Sequence, residues 1–220
     1  MFIHKMENIK VIILDLDQTL TTDEASWLQF TELIGADKHT HTQIYENYKS
    51  EKLEYEEAKK ALIQLWMKTG RTHINDIREI FNNVKFRNGA VDAVCYLRGK
   101  YTLCIISGAI DIFVEVSAKK LEINNFYSST KFRFDDSGYL IDFDYKLSRG
   151  EEKLDFLMEF CDKTGIKPTE CAAIGDGDSD VPIFGAVGLP ILFIAEETSE
   201  ELKEEFPIQL KNWNEIKKVL

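Results

Sequence analysis

The stretch that decides the fold is KVIILDLDQTLTTDE, from Lys10 to Glu24. Its four apolar residues at 11–14 have the length and character of a buried parallel strand. The strand runs directly into Asp15 and Asp17, which would share one face if the strand continued, because strand side chains alternate. Neighbouring carboxylates repel each other, so this pattern predicts a site where something offsets the repulsion.

Further apolar runs bounded by turn residues follow along the chain. They predict strands at 102–106, 171–174 and 191–194. Between them, helical spacing with apolar residues on one face predicts amphipathic helices at 90–100, 112–123 and 151–165. Strands that alternate with helices imply right-handed crossovers and a parallel sheet covered on both faces. We therefore predict an α/β fold with a doubly wound, mostly parallel sheet.

Two segments depart from this alternation. Residues 22–83 hold four helical patterns and no good strand, which predicts an inserted helical domain with Tyr55, Trp66 and Met67 in its core. Residues 130–147 alternate around Asp-Asp-Ser-Gly, which predicts an antiparallel β-hairpin at the sheet edge. The predicted domains are an α/β core of residues 1–21 and 84–220 and a helical domain of residues 22–83.

Composition narrows the class of partner and the compartment. The 220 residues carry a net charge of −11, which makes nucleic acid and anionic membranes poor partners. The chain has no apolar run of membrane-spanning length, no signal-peptide pattern and no C-x-x-C pair, so we expect a cytoplasmic protein. The four histidines, including His39 and His41, lack partners at metal-ligand spacing and are expected on the surface. The sequence does not indicate an oligomeric state.

Polar residues follow three of the predicted strands. Ligands of open α/β sheets bind at the carboxyl ends of the strands, so these side chains are candidates for one common site. They are Asp15, Asp17, Ser107, Asp176, Asp178 and Asp180, and Gly108 follows Ser107 with a backbone N–H.

The residue types at this edge predict a phosphate bridged to Mg²⁺. Clustered carboxylates need a cation, and oxygen ligands without His or Cys select a hard ion such as Mg²⁺. Ser107 is predicted to lie at a helix N-terminus, where backbone N–H groups bind anions. Lys153 adds a positive charge near the start of a helix that opens with a capping box at Ser148. Gly175 and Gly177 are expected to allow close backbone approach and turns.

Four short motifs together resemble a known family. They occur in the family's order and at strand ends, and they extend over nearly the whole chain. The motifs Asp15-x-Asp17-x-Thr19, Ser107-Gly108, Lys153 and Gly175-Asp176-Gly177-x-x-Asp180 resemble those of the haloacid dehalogenase superfamily of phosphohydrolases, which implies a Rossmann-like core.

The resemblance implies a phosphatase that works through an aspartyl-phosphate. Asp15 would be the nucleophile, and Asp17 the general acid that then becomes the base. The cofactor Mg²⁺ would be held by Asp15, the backbone carbonyl of Asp17, and Asp176.

The remaining motif residues would hold the phosphoryl group. The resemblance assigns this binding to Ser107, the N–H of Gly108, and Lys153. Asp180 would orient Lys153 or a metal-bound water. For Asp178, an acid in the first turn of a helix is the favoured interpretation.

The helical insertion directly after the first motif resembles the cap of the phosphoserine phosphatase group. This implies a small phosphorylated metabolite as substrate, and O-phospho-L-serine in particular. Glu24 stands where that group reads the substrate amino group, although a first-turn helix acid is an equally good interpretation. Lys60 falls where the group has an arginine for the substrate carboxylate, although an exposed helix face is the favoured interpretation.

Two further departures from that group leave alternatives open. Ala109 follows Ser-Gly where the group has a second glycine, and Ser179 replaces an asparagine. The alternatives are a phosphatase for another small phosphometabolite and a phosphotransferase or mutase that uses the same aspartyl-phosphate. A catalytically inactive binding module is a third, against which the intact pair of Asp15 and Asp17 argues.

Overall fold

The structure is a computed structural model that describes residues 8–22, 24–145 and 150–220. Its centre is a seven-stranded sheet with the order β4-β3-β2-β1-β5-β6-β7. All neighbours pair in parallel except β3 and β4, so the predicted doubly wound α/β architecture is confirmed. The strands are β1 (Val11–Leu14), β2 (Thr102–Ile110), β3 (Asn125–Phe134), β4 (Leu140–Asp144), β5 (Cys171–Gly175), β6 (Leu189–Phe193) and β7 (Gln209–Leu210).

Strand β1 lies in the middle of the sheet, and all four of its residues are buried. Its side chains alternate between two hydrophobic clusters, with Ile12 and Leu14 in one and Val11 and Ile13 in the other. A strand covered on both faces must be apolar throughout, which explains the uninterrupted run at 11–14. Leu14 pairs with residue 105 of β2 and residue 174 of β5, so the carboxyl ends of these three strands lie side by side.

Helices cover both faces of the sheet. In the core they are α5 (Ala90–Arg98), α6 (Asp111–Lys120), α7 (Glu151–Thr164), α8 (Val181–Ala186), α9 (Glu200–Glu205) and α10 (Ile216–Val219). The predicted N-cap of α7, Ser148, lies outside the described residues, and Gly150 occupies the N-cap position. Within the described part of the chain, no helix is both long and apolar enough to cross a membrane.

Four helices follow β1 and form what we call the helical insertion: α1 (Ser26–Leu33), α2 (Lys38–Lys49), α3 (Tyr55–Met67) and α4 (Ile74–Asn82). The chain leaves the core and returns to it at adjacent points, because Thr21 and Phe86 form an antiparallel bridge. This bridge lies beside the boundaries that the sequence predicts, and the division into two domains stays a prediction. Trp66 is fully buried as expected, whereas Met67 is 51% exposed, so its predicted core position is wrong.

The predicted hairpin is present at the sheet edge, but it belongs to a longer strand. The first half of β3 pairs in parallel with β2, and its second half pairs antiparallel with β4. The predicted strand at 102–106 is also longer, because β2 runs to Ile110. Helix α6 begins only at Asp111, so the prediction that Ser107 lies at a helix N-terminus is wrong.

His41 is buried, with 5% of its surface exposed, so its predicted surface position is wrong. Its Nδ1 lies 2.6 Å from Oγ1 of Thr31, and the same oxygen accepts a hydrogen bond from Nε1 of Trp66. These partners come from α1 and α3, so the burial of His41 depends on how three helices pack. Burial lowers the pKa of His41 to about 4.

This burial predicts a pH-dependent stability. Unfolded His41 titrates at its ordinary pKa, so below that value protons favour the unfolded chain. His41 therefore contributes stability above pH 6.5 that is lost as the pH falls toward 4, by about 3 kcal/mol in all. His41→Gln should flatten the fall in unfolding free energy over this range, measured by urea denaturation. The control is His39→Gln on the exposed face of the same helix, and an equal flattening there would contradict the assignment.

Candidate active site

The carboxyl ends of β1 and β5 bring together three buried carboxylates, those of Asp15, Asp176 and Asp180. One oxygen atom of each lies within 4.8 Å of the others. Asp15 comes directly after β1 and donates its N–H to the carbonyl of Ile174 at 2.9 Å, which ties the two strand ends together. The structure therefore assembles the first and fourth motifs at one edge of the sheet.

Lys153 completes this cluster from the first turn of α7. Its Nζ lies 3.0 Å from Oδ1 of Asp15 and 2.7 Å from Oδ1 of Asp180, and the residue is 4% exposed. Burial alone would lower the pKa of Lys153, but the two carboxylates raise it above its ordinary value. Lys153 therefore stays protonated, and its ammonium lies between the carboxylates of Asp15 and Asp180.

Gly150 sets the position of α7 against the fourth motif. Its φ is +88°, in the left-handed region that favours glycine, and a Cβ added there would lie 2.2 Å from the carbonyl oxygen of Ser179. The start of the helix can thus approach the loop that carries Asp180. Lys153 lies one turn further on and reaches that carboxylate.

Backbone groups hold Asp180 and a hydroxyl holds Asp176. Oδ2 of Asp180 accepts hydrogen bonds from the N–H groups of Asp176 at 3.1 Å and Gly177 at 3.3 Å. Oγ1 of Thr19 donates to Oδ1 of Asp176 at 2.5 Å. Burial raises the pKa of Asp176 to about 8, and the charges of Asp15 and Asp180 act in the same direction.

The two glycines of the fourth motif differ in their surroundings. A Cβ added to Gly175 would lie 2.3 Å from Cγ of Asp180, so only glycine fits there. A Cβ at Gly177 would meet no atom within 4 Å, and its φ of −140° is open to any residue, so the expected close approach is wrong for Gly177.

This difference gives a matched pair of variants. Gly175→Ala should displace Asp180 and with it Lys153, and lower kcat by about 10²-fold, because misplacement of catalytic groups by about 1 Å has that effect. Gly177→Ala is the control and should change kcat little. Steady-state hydrolysis of an aryl phosphate measures both variants. Equal losses in the two would show that Asp180 is not positioned in this way.

Asp17 is held by the helical insertion rather than by the cluster. Its Oδ2 accepts hydrogen bonds from the backbone N–H of Ser26 at 3.1 Å and from the Ser26 hydroxyl at 2.7 Å. Its buried Oδ1 has no hydrogen-bond partner among the described residues. Burial raises the pKa of Asp17 to about 7, against the hydrogen bonds from Ser26. A carboxyl with such a pKa can donate or accept a proton near neutral pH.

Distant residues fix the loop that carries Asp15 and Asp17. Nε of Arg87 donates to the carbonyl of Gln18 at 2.9 Å, and Nε1 of Trp213 donates to the carbonyl of Thr19 at 2.9 Å. Gln18 has a φ of +59°, which is uncommon for a residue other than glycine. These contacts hold the loop in an unusual backbone turn, which orients the carboxylates of Asp15 and Asp17.

The cluster fits a divalent cation. Three buried carboxylates against one ammonium leave two uncompensated negative charges when all are ionised, which is costly in a buried site. Oδ1 of Asp15 pairs with Lys153 but accepts no hydrogen bond from the described part of the chain. The predicted ligands Asp15 and Asp176 both belong to the cluster, and Asp180 is the third member. Asp178, in contrast, is exposed and lies outside it.

The second motif lies at the end of the neighbouring strand. Ser107 is fully buried, and its Oγ accepts a hydrogen bond from the N–H of Ala109 at 3.3 Å. Gly108 is half-buried, its carbonyl accepts from Oγ1 of Thr130 at 2.9 Å, and an added Cβ there would meet no atom within 4 Å. Both residues therefore lie at the same edge of the sheet as Asp15, since β2 and β1 are neighbours.

A cavity of about 560 Å³ lies beside this edge, between the helical insertion and the hairpin. Gln18 and Ala25, which are sequence neighbours of Asp17 and Ser26, line this cavity, whereas Asp15, Asp176 and Asp180 do not. Six of its lining residues are aromatic: Trp27, Tyr45, Tyr48, Tyr55, Phe143 and Tyr145.

Only one of the two predicted substrate residues lines this cavity. Glu24 does, and it forms an ion pair with Lys38. Lys60 is exposed and faces a separate surface depression with Ile63. Its neighbour Lys59 lines both this depression and the cavity.

Sequence reasoning missed several residues that shape the site. Ser26 holds Asp17, Gly150 sets α7, and Lys59 lines the cavity. A serine just before a helical pattern was a possible signal for Ser26, since such residues cap helices and bind nearby groups. The contacts of Gly150 and Lys59 depend on tertiary packing and have no local signal.

Comparison with known proteins identifies the family of this chain. A model of the haloacid dehalogenase-like hydrolases matches residues 9–188. A phosphoserine phosphatase of Albidiferax ferrireducens is 25% identical over 204 residues, which cover 90% of this chain and 84% of that protein. The phosphoserine phosphatase of Methanocaldococcus jannaschii is 23% identical over 212 residues, which cover 96% and 97% respectively.

Solved structures share the fold. A structure described as a phospho-aspartyl intermediate analogue of phosphoserine phosphatase superposes with a TM-score of 0.72 at 22% identity. The match covers 96% of this chain and 99% of the other. A substrate-bound phosphoserine phosphatase gives the same TM-score at 23% identity and covers 96% and 98%.

Proposed function

This chain belongs to the haloacid dehalogenase-like hydrolases, and we propose that it is a Mg²⁺-dependent phosphatase that hydrolyses a small phosphomonoester through an aspartyl-phosphate. The observation that carries the proposal is the buried cluster of Asp15, Lys153, Asp180 and Asp176. The cluster supplies an ion-paired nucleophile, and Asp17 beside it supplies a proton-transfer group.

In the first step, Asp15 attacks phosphorus. A bond forms between a carboxylate oxygen of Asp15 and phosphorus while the bond from phosphorus to the alcohol oxygen breaks. The departing oxygen takes a proton from Asp17, so the alcohol leaves neutral. Burial raises the pKa of Asp15 to about 6 and Lys153 opposes this rise, so the nucleophile is ionised at neutral pH.

In the second step, water attacks the aspartyl-phosphate. Asp17, now ionised, takes one proton from the water as its oxygen bonds to phosphorus. The bond from phosphorus to Asp15 breaks, and inorganic phosphate leaves. This returns the carboxylate of Asp15 and the proton of Asp17 to their starting state.

The charge of the phosphoryl group needs positive partners in a chain with a net charge of −11. We assign this role to Lys153, the hydroxyl of Ser107 and the N–H of Gly108. Asp180 acts as a positioning residue because it holds the ammonium of Lys153.

The residues that would hold Mg²⁺ are Asp15, Asp176 and the backbone carbonyl of Asp17. The oxygen-only donor set and the uncompensated charge of the cluster support this assignment. When bound, the ion offsets the repulsion between the carboxylates and the phosphate and helps to polarise phosphoryl oxygens.

The helical insertion supports a cap over the site, with residues 22–83 as the cap and residues 1–21 and 84–220 as the catalytic core. Tyr55 in α3 donates its hydroxyl proton to the carbonyl of Tyr145, beyond the hairpin, at 2.9 Å. A cap that closes in this way encloses a small substrate and excludes water. O-phospho-L-serine is the compound against which other substrates should be compared, because curated relatives bear the name phosphoserine phosphatase. The four free thiols support the reducing cytoplasm as the compartment.

Metal dependence tests this proposal. Hydrolysis of 4-nitrophenyl phosphate should require Mg²⁺, stop in a chelator and return when Mg²⁺ is restored. Mg²⁺ should also stabilise the folded protein, by about 2.7 kcal/mol at a free concentration of about 100 times its Kd. Thermal denaturation of Asp176→Asn, with Asp178→Asn as control, should show that only the first variant loses this stabilisation. Full turnover in the chelator would contradict the proposal.

A further inference from the structure

The cavity beside the catalytic edge is larger and more apolar than a serine side chain needs. Its volume of about 560 Å³ lies within the usual range for sites that enclose drug-sized ligands, about 300–1,000 Å³. Six of the seventeen residues that line it are aromatic, and Leu28, Ile44 and Leu62 add aliphatic surface. The rings of Tyr48 and Tyr55 meet edge to face with centroids 6.0 Å apart. Such walls bind an apolar group best.

The acidic group expected to read a substrate ammonium is already paired. Glu24 binds Nζ of Lys38, and Lys38 also binds Glu32 at 3.0 Å. The hydrogen bonds to Glu24 and Glu32 raise the pKa of Lys38, so this ammonium stays charged. A substrate ammonium at Glu24 would have to share this carboxylate with Lys38. The structure therefore gives Glu24 a partner from its own chain.

The basic group of the described cavity wall is paired as well. Nζ of Lys59 lies 2.8 Å from Oδ1 of Asp142 in β4, and its side chain is largely buried. The same ammonium lies over the rings of Tyr55 and Phe143, at 5.9 and 5.6 Å from their centroids. Lys60 points to the outer surface. Among the described residues that line the cavity, the single lysine thus already has a carboxylate partner.

We propose that the substrate is a phosphomonoester whose alcohol carries an uncharged aromatic or bulky apolar group, which the cavity encloses while the phosphate lies at Asp15. This inference rests on the proposed phosphatase function and specifies its substrate class. Burial of a phenyl ring against these walls adds binding energy that a serine residue cannot supply.

The test compares esters of equal intrinsic reactivity. Ethyl phosphate and 2-phenylethyl phosphate both release a primary alcohol, so a difference in kcat/KM reports on binding of the ring. We expect kcat/KM for 2-phenylethyl phosphate to exceed that for ethyl phosphate by at least about tenfold, and to exceed that for O-phospho-L-serine as well.

Cavity variants link this preference to the walls. Tyr48→Ala should lower the ratio of the two kcat/KM values by roughly threefold or more, and Tyr48→Phe should retain it, because the ring and not the hydroxyl makes the contact. Tyr45→Ala, at a more exposed position of α2, gives a second variant with the same expected fall. Tyr139→Ala, on the hairpin turn outside the cavity, is the matched control and should leave the ratio unchanged.

The outcomes separate this inference from the proposed function. If the protein hydrolyses all three esters but favours O-phospho-L-serine, or treats the two alkyl esters alike, the inference is overturned and the phosphatase function stands. If Tyr139→Ala changes the ratio as much as Tyr48→Ala does, the assignment to the cavity is overturned. If none of these esters and no 4-nitrophenyl phosphate is hydrolysed with Mg²⁺ present, both proposals are overturned.

Discussion

Asp15→Asn is expected to reduce hydrolysis of 4-nitrophenyl phosphate by at least about 10⁴-fold, because removal of a nucleophile that acts with its partners as one unit abolishes nearly all their contribution. An amide has no carboxylate oxygen that can form the aspartyl-phosphate. The change keeps the size of the side chain and removes one of three clustered negative charges. We therefore expect the variant to fold and, without Mg²⁺, to unfold at a temperature no lower than the parent protein.

The matched control for this variant is Asp178→Asn. Asp178 is exposed in the same strand-end region and lies outside the buried cluster, so its loss should leave kcat within a few-fold of the parent value. Stopped assays with purified, folded variants measure both. Substantial turnover by Asp15→Asn would show that another group is the nucleophile.

Lys153→Met is expected to have the second-largest effect. The ammonium of Lys153 lies between Asp15 and Asp180, and all three side chains are buried. Its removal leaves two buried carboxylates without their common partner, which should lower the unfolding free energy of the metal-free protein by about 3–5 kcal/mol. Loss of the positive charge at the phosphate should also lower kcat by about 10²- to 10³-fold.

Lys163→Met provides the comparison on the same helix. Lys163 is largely exposed and pairs with Glu159 one turn away, so its loss should cost little stability and leave kcat unchanged. Denaturation in urea and steady-state kinetics give both quantities. If the two lysine variants lose similar amounts of stability, the buried ion-pair cluster does not have the energetic role that we assign to it.

The central strand and the polar residues at the strand ends were predictable because their signals are local. A run of four apolar residues before Asp15 leaves few alternatives to a buried parallel strand. In open α/β sheets, binding residues follow the carboxyl ends of the strands, which places Asp176 and Asp180 after the neighbouring strand β5. These predictions needed only the alternation of strands and helices, which the sequence pattern contains.

The contacts that refine the site were not predictable because they join distant parts of the chain. Nothing near His41 indicates that Thr31 and Trp66 will bury it. Lys59 and Lys60 are adjacent on one helix, and only Lys59 contacts Asp142 of β4 and lines the cavity. Contacts of this kind shape the substrate cavity. The motifs do not encode them, so motifs alone are a weak basis for predicting the substrate.

Asp15 is expected to carry the phosphoryl group between the two steps of the reaction. The most direct test uses Asp17→Asn and an aryl phosphate labelled in its phosphoryl group, with Mg²⁺ present. An aryl oxygen leaves without a proton, so the first step should proceed, whereas the second step lacks its base. We predict a burst of one aryl alcohol per active site, a stalled turnover, and the label on the peptide that contains Asp15. A label on any other residue, or release of labelled phosphate without a labelled protein, would contradict the account.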